Sequence, residues 1–127
     1  MKNITIITGP AGSGKTTKAK ELAAKFSPGE VVWLEAQSRD LSQDSICFAS
    51  YQTNTKLLVI DPVSTEIQII AYLFFAATGI FVNQRGKAPF LIKPEIILVC
   101  QSHITELILT SIKSAYQNNL PIQIIEC

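Results

Sequence analysis

"GPAGSGKTT", residues 9 to 17, follows the apolar run "ITIIT" at 4–8 and precedes a stretch of helical periodicity. Gly9, Gly14, Lys15 and Thr16 fit the spacing G-x-x-x-x-G-K-[ST]. Four constrained positions fall together by chance in a chain of this size only on the order of a few times in a thousand. The spacing has a physical reason. Glycines let the backbone turn so that its N–H groups point inward at phosphate oxygens, and the helix that follows adds its positive N-terminal end. The sequence therefore predicts that Gly9, Pro10, Ala11, Gly12, Ser13, Gly14, Lys15, Thr16 and Thr17 cradle a nucleoside triphosphate. Lys15 is expected to reach the β- and γ-phosphates, and Thr16 to ligate Mg²⁺.

Outward from the loop, short β-branched runs alternate with helical periods. "KTTKAKELAAKF" (15–26) places Ala19, Leu22, Ala23 and Phe26 on one helical face. "VVWLEA" (31–36), "KLLVID" (56–61), "EIILVCQ" (95–101) and "LPIQIIE" (120–126) read as the second to fifth strands. Residues 37–56 are polar and irregular, with one short helix expected around Ile46, Phe48 and Tyr51. Ser64 and Ser102 are placed to cap helices, and Gly79 to end the first of these. The helix after Ser102 carries Ile104, Leu107, Ile108, Ile112 and Ala115 on one stripe. Residues 83–89, "NQRGKAP", read as a loop. Apolar strands separated by helices predict a mostly parallel sheet buried on both faces, an α/β three-layer sandwich. All of residues 1–127 read as one domain, with no repeat, linker or low-complexity tract.

Composition narrows the partners. Eleven basic and ten acidic residues leave a net charge of +1, so no broad phosphate-binding face is implied. No clear nucleic-acid motif is present. Cys47, Cys100 and Cys127 have neither metal-ligand nor disulfide spacing, which suits reduced thiols in a cytoplasmic protein. The N-terminal apolar run is too short and too polar for a signal peptide. "IIAYLFFAATGIFV" (69–82) is also short of the roughly 20 residues that span a bilayer. It is expected to form a buried core helix, part of which faces a protein partner or a second copy of the chain.

"LLVID" puts Asp61 at the end of an apolar strand, on the edge where the loop also lies. A carboxylate there can hold Mg²⁺. Hydrolysis also needs a group that orients the attacking water. Many P-loop ATPases carry a glutamate directly after this aspartate; here Pro62 occupies that position. Glu35, near the end of the second strand, is the alternative.

At these segments the chain resembles the RecA-like ATPase core, of the additional-strand class of P-loop NTPases. "GPAGSGKTT" is close to that family's loop, "LLVIDPVS" looks like its Walker B strand, and "LVCQSH" resembles the strand ending in a γ-phosphate sensor. The resemblance implies Glu35 as general base, Gln101 as sensor, Lys15 as a further catalytic group, and ATP as nucleotide. It also implies a strand order 5-1-4-3-2, counting the five strands above. The long loop with which RecA recombinases grip DNA is absent. Three functions stay open: a minimal Mg-dependent ATPase acting as a switch or motor module, a nucleotide-binding module with little turnover, and a small-molecule P-loop kinase. The kinase reading is weakened by the arginine count, since only Arg39 and Arg85 are available to clamp a moving phosphoryl group. Arg85 and Lys87 lie in a loop from which an arginine finger could act across a subunit boundary.

Overall fold

A computed structural model describes residues 4–34, 52–61, 63, 72, 75, 78–83, 86–100 and 122–127. Its centre is a parallel sheet built from β1 (Ile4–Thr8), β2 (Val31–Leu34), β3 (Leu57–Ile60), β6 (Glu95–Cys100) and β7 (Ile122–Glu126). Two further strands, β4 (Ile80–Val82) and β5 (Phe90–Ile92), form a separate antiparallel ribbon.

The sheet runs β2-β3-β6-β1-β7, and every neighbouring pair is parallel. Numbered over all seven strands the order reads 7-1-6-3-2 from the β7 edge rather than 5-1-4-3-2, because β4 and β5, which the sequence reading did not contain, take two of the numbers. By residue range, 4–8 lies between 95–100 and 122–126, and 57–60 lies between 31–34 and 95–100.

Period-two alternation sends the strand side chains to two faces. Ile4 and Ile6 of β1, Leu58 and Ile60 of β3, and Ile96, Leu98 and Cys100 of β6 belong to one buried cluster. Ile7, Leu57, Val59, Ile97 and Val99 belong to the other. Burial on both sides explains why these strands read as continuous apolar runs rather than alternating ones. The second cluster is covered by α1 (Lys15–Ala23), whose Ala19 is fully buried there. Leu22, Ala23 and Phe26 pack against the same cluster, so the four-residue stripe faces the sheet as its spacing requires. α1 ends at Ala23 rather than running to Phe26, and a tighter turn carries the chain on through a Phe26 N–H to Ala23 carbonyl bond. On the opposite face Val63 and Tyr72 join the first cluster. Residues 72, 75 and 78 are helical, and the rings of Tyr72 and Phe75 meet edge to face at 5.9 Å.

Gly79 ends the helical path as expected, but 80–82, expected to belong to the 69–82 core helix, form a strand. Gly79 takes φ +86°, a left-handed conformation that suits glycine, and its N–H donates to the Phe75 carbonyl. A Cβ there would sit 2.9 Å from the Ile92 carbonyl oxygen. The helical path stops, and Ile80–Val82 extend as β4 against Phe90–Ile92. The β-branched and aromatic content of "IFV" favours that outcome once glycine has broken the helix. Ile80, Val82 and Ile92 turn inward into the first cluster, whereas Phe81 and Leu91, directly paired across the ribbon, are 62% and 54% exposed. Residues 83–89 are the connection between these two strands. The helices expected around 46–51 and after Ser102, and the cap at Ser64, lie outside the described residues. Among the described residues no helix is long and apolar enough to cross a membrane.

Candidate functional site

Parallel strands bring their carboxyl ends to one edge, and the 9–14 loop begins there, directly after Thr8. Gly9 is required by close approach: a Cβ on it would lie 2.6 Å from Ser13 Oγ and 3.0 Å from the Cys127 carbonyl oxygen. Cys127 holds that position because its N–H donates to the Thr8 carbonyl at 2.8 Å, extending the β1–β7 ladder. Gly12 and Gly14 both have positive φ, and Gly14 is the N-cap of α1. Successive turns of this kind expose backbone N–H groups to an anion. The first turn of α1 contains no acidic residue to oppose one.

The side chains expected to act here converge. Lys15 Nζ donates to the Gly9 carbonyl oxygen at 2.6 Å, so the ammonium folds back over the loop. Thr16 Oγ1 donates to Asp61 Oδ2 at 2.8 Å. That bond joins the start of α1 to the residue just beyond β3, across 45 positions of sequence. Two buried hydroxyls flank the start of the loop, Thr8 Oγ1 and Ser13 Oγ, and neither has a hydrogen-bond partner. Sequence reasoning did not single out Thr8. Its signal was a lone hydroxyl residue ending an isoleucine-rich strand. Pro10, Ala11, Gly12, Gly14, Thr16 and Thr17 are exposed on this edge, as a binding loop requires.

The donor set fits a magnesium-bound nucleotide. Among the described residues no group of three or more His, Cys, Asp or Glu side chains could hold a metal ion by itself. Mg²⁺ does not need such a cage. It is commonly held by one or two carboxylates together with substrate phosphates. Thr16 and Asp61, a hydroxyl and a carboxylate 2.8 Å apart, are the residues that would hold it.

Glu35, Gln101 and Arg85 lie outside the described residues, as does Pro62. Lys87 is exposed in the connection between β4 and β5.

No family model matches the chain, and no curated protein does. Among solved structures the chain is similar to "The A form apo structure of NrS-1 C terminal region-CTR(305-718)", with a TM-score of 0.51 and 16% sequence identity. The match covers 98% of this chain but only 28% of that one, and at this identity it speaks for the fold alone.

Proposed function

We propose that the chain is a P-loop nucleotide-binding domain, a three-layer α/β sandwich that binds and hydrolyses a Mg-nucleoside triphosphate, with ATP as the nucleotide. The observation that carries this reading is the Thr16–Asp61 hydrogen bond, which joins the glycine loop to the carboxylate strand at one sheet edge. The loop glycines and α1 receive the phosphates. Lys15 exchanges the Gly9 carbonyl for phosphate oxygens, and Thr16 with Asp61 holds the cation. Mg²⁺, when bound, neutralises charge developing on the phosphates. Glu35 orients the attacking water and Gln101 contacts the terminal phosphate, both by resemblance to the RecA-like core.

The test is calorimetry together with phosphate release. Lys15→Ala should abolish Mg-ATP binding, and unchanged affinity would sink the reading. Glu35→Gln should keep ATP bound and stop turnover. Wild-type turnover in that variant would move the base elsewhere. One observation favours the second reading, a binding module with little turnover: Pro62 stands where many ATPases carry the glutamate. Binding without phosphate release at any protein concentration would select it.

The ribbon supplies a surface for a partner. Residues 80–93 contain Arg85, Lys87 and Lys93 and no acid, and they present Phe81 and Leu91 to solvent. An exposed apolar pair of this kind suits the apolar surface of a protein partner or a second copy of the chain. On this reading the domain is a switch or motor module. Phosphate release per chain should rise with protein concentration in wild type but not in Phe81→Ala with Leu91→Ala, if a second copy of the chain is that partner.

A further inference from the structure

Ser13 Oγ, inside the glycine loop, is buried and makes no hydrogen bond. A hydroxyl held out of water in that state is costly, so a serine here calls for a partner in another state of the loop. Two contacts fix where it stands. The Ser13 N–H donates to the Pro10 carbonyl at 3.2 Å, which pins Ser13 across the turn from the Gly9–Pro10 peptide. Ser13 Oγ also lies 2.6 Å from the place of a Cβ on Gly9, so it rests against the Gly9 α-carbon. The Gly9 carbonyl is bonded to that same α-carbon, and its oxygen is taken by Lys15 Nζ at 2.6 Å.

On the nucleotide reading, on which this inference rests, Lys15 leaves that carbonyl for phosphate oxygens. Gly9 is buried, so the departure strands its carbonyl away from water. The empty loop thus holds an idle donor, and the loaded loop an idle acceptor, on groups that already touch. We propose that Ser13 is a positioning residue whose hydroxyl takes over the Gly9 carbonyl when Lys15 moves to the phosphates. A step between staggered rotamers, with free rotation of the hydroxyl proton, re-aims the donor. The exchange keeps Gly9 seated while the lysine is away, and with it the N–H groups that face the phosphates. It also lowers the cost of releasing Lys15. The Ser13 side chain itself touches no phosphate in this role.

Ser13→Ala keeps the Cβ and removes only the hydroxyl. Its affinity for Mg-ATP by calorimetry should fall at least about fivefold, the loss expected when a buried carbonyl goes unpaired. Without nucleotide its thermal unfolding should match wild type, because the hydroxyl removed bonds to nothing there. A lowered unfolding temperature would overturn the proposal, since Ser13 would then hold the empty loop together. The carbonyl can also be observed directly. Gly9–Pro10 is the sole Gly-Pro pair in the chain, so carbonyl-¹³C glycine combined with ¹⁵N proline marks that peptide bond alone. At saturating Mg-ATP the Gly9 carbonyl resonance should lie upfield in Ser13→Ala relative to wild type, the direction of a lost hydrogen bond. Coincident resonances would overturn the proposal even with a lowered affinity, because the loss would then come from loop shape. Unchanged affinity in the variant would overturn it and leave the nucleotide reading intact. A wild-type chain that binds no nucleotide would sink both.

Discussion

Thr16 and Asp61 share a 2.8 Å hydrogen bond although 45 residues separate them. The hydroxyl belongs to the first turn of α1, and the carboxylate follows β3. The threonine proton lies between the two oxygens that the proposed function assigns to Mg²⁺. Asp61→Asn keeps the shape and removes the charge. It should weaken nucleotide binding by about 10- to 100-fold in the presence of Mg²⁺, the range expected for losing a charged partner. With excess chelator it should change affinity little. Calorimetry with and without Mg²⁺ separates the two, and an equal loss in both conditions would remove Asp61 from the metal's surroundings.

Gly9→Ala tests the loop's shape. The added Cβ meets both Ser13 Oγ and the Cys127 backbone carbonyl, and the backbone contact has little freedom to yield. Nucleotide affinity should fall at least about tenfold, since the loop can no longer present its N–H groups as a set. The far-UV spectrum should stay that of wild type. Retained affinity would show that the loop tolerates a shift there.

Ile7 sits fully buried between the sheet and α1, beside Ala19 and Val99. Ile7→Ala should cost about 2–5 kcal/mol of stability, the usual range for truncating a buried isoleucine. Urea denaturation measures it. A cost well under 1 kcal/mol would mean that α1 is not seated on this face as described.

Glu30 supplies a pH test. Its side chain accepts a hydrogen bond from Lys56 Nζ at 2.9 Å and another from the Ser27 N–H at 3.1 Å. The Lys56 bond foremost, then the Ser27 bond, hold the Glu30 carboxyl below the ordinary carboxylate range. The folded state therefore favours the ionised form. The stabilisation is complete above the unfolded-state pKa of Glu30 and is lost as pH falls through its lowered folded-state value. Lys56→Gln should lower stability near neutral pH slightly, because solvent screens this half-exposed pair, and leave it unchanged below the folded-state pKa of Glu30, so that the acid-side loss flattens. Thermal unfolding at several pH values reads it out; an unchanged acid limb in Lys56→Gln would assign that loss to other groups.

The parallel sheet was legible because each of its five strands is an apolar run between helical or polar segments, and two-sided burial erases alternation. The loop was legible because Gly9, Gly14, Lys15 and Thr16 constrain one another at fixed spacing. Asp61 was legible because an apolar strand ends on it, and the structure does bring it to Thr16. The ribbon was not legible. "IIAYLFFAATGIFV" has no polar break, so the change from helix to strand rests on Gly79 alone, and "FLI" is too short to stand out from the loop beside it. Thr8 was hidden for a different reason. Periodicity identifies the strand, but not which of its hydroxyls is left without a partner.

The ribbon's two faces differ in what they meet. Ile80, Val82 and Ile92 root it in the same apolar cluster that holds Leu58 and Ile60 of β3 and Leu98 of β6. Its outer residues, Phe81 and Leu91, pair with each other and face solvent. The inward residues pack on the face shared by β3 and β6, paired neighbours that lead to Asp61 and Gln101. Covering that face is the ribbon's structural role, and it fills it without adding a strand to the parallel sheet.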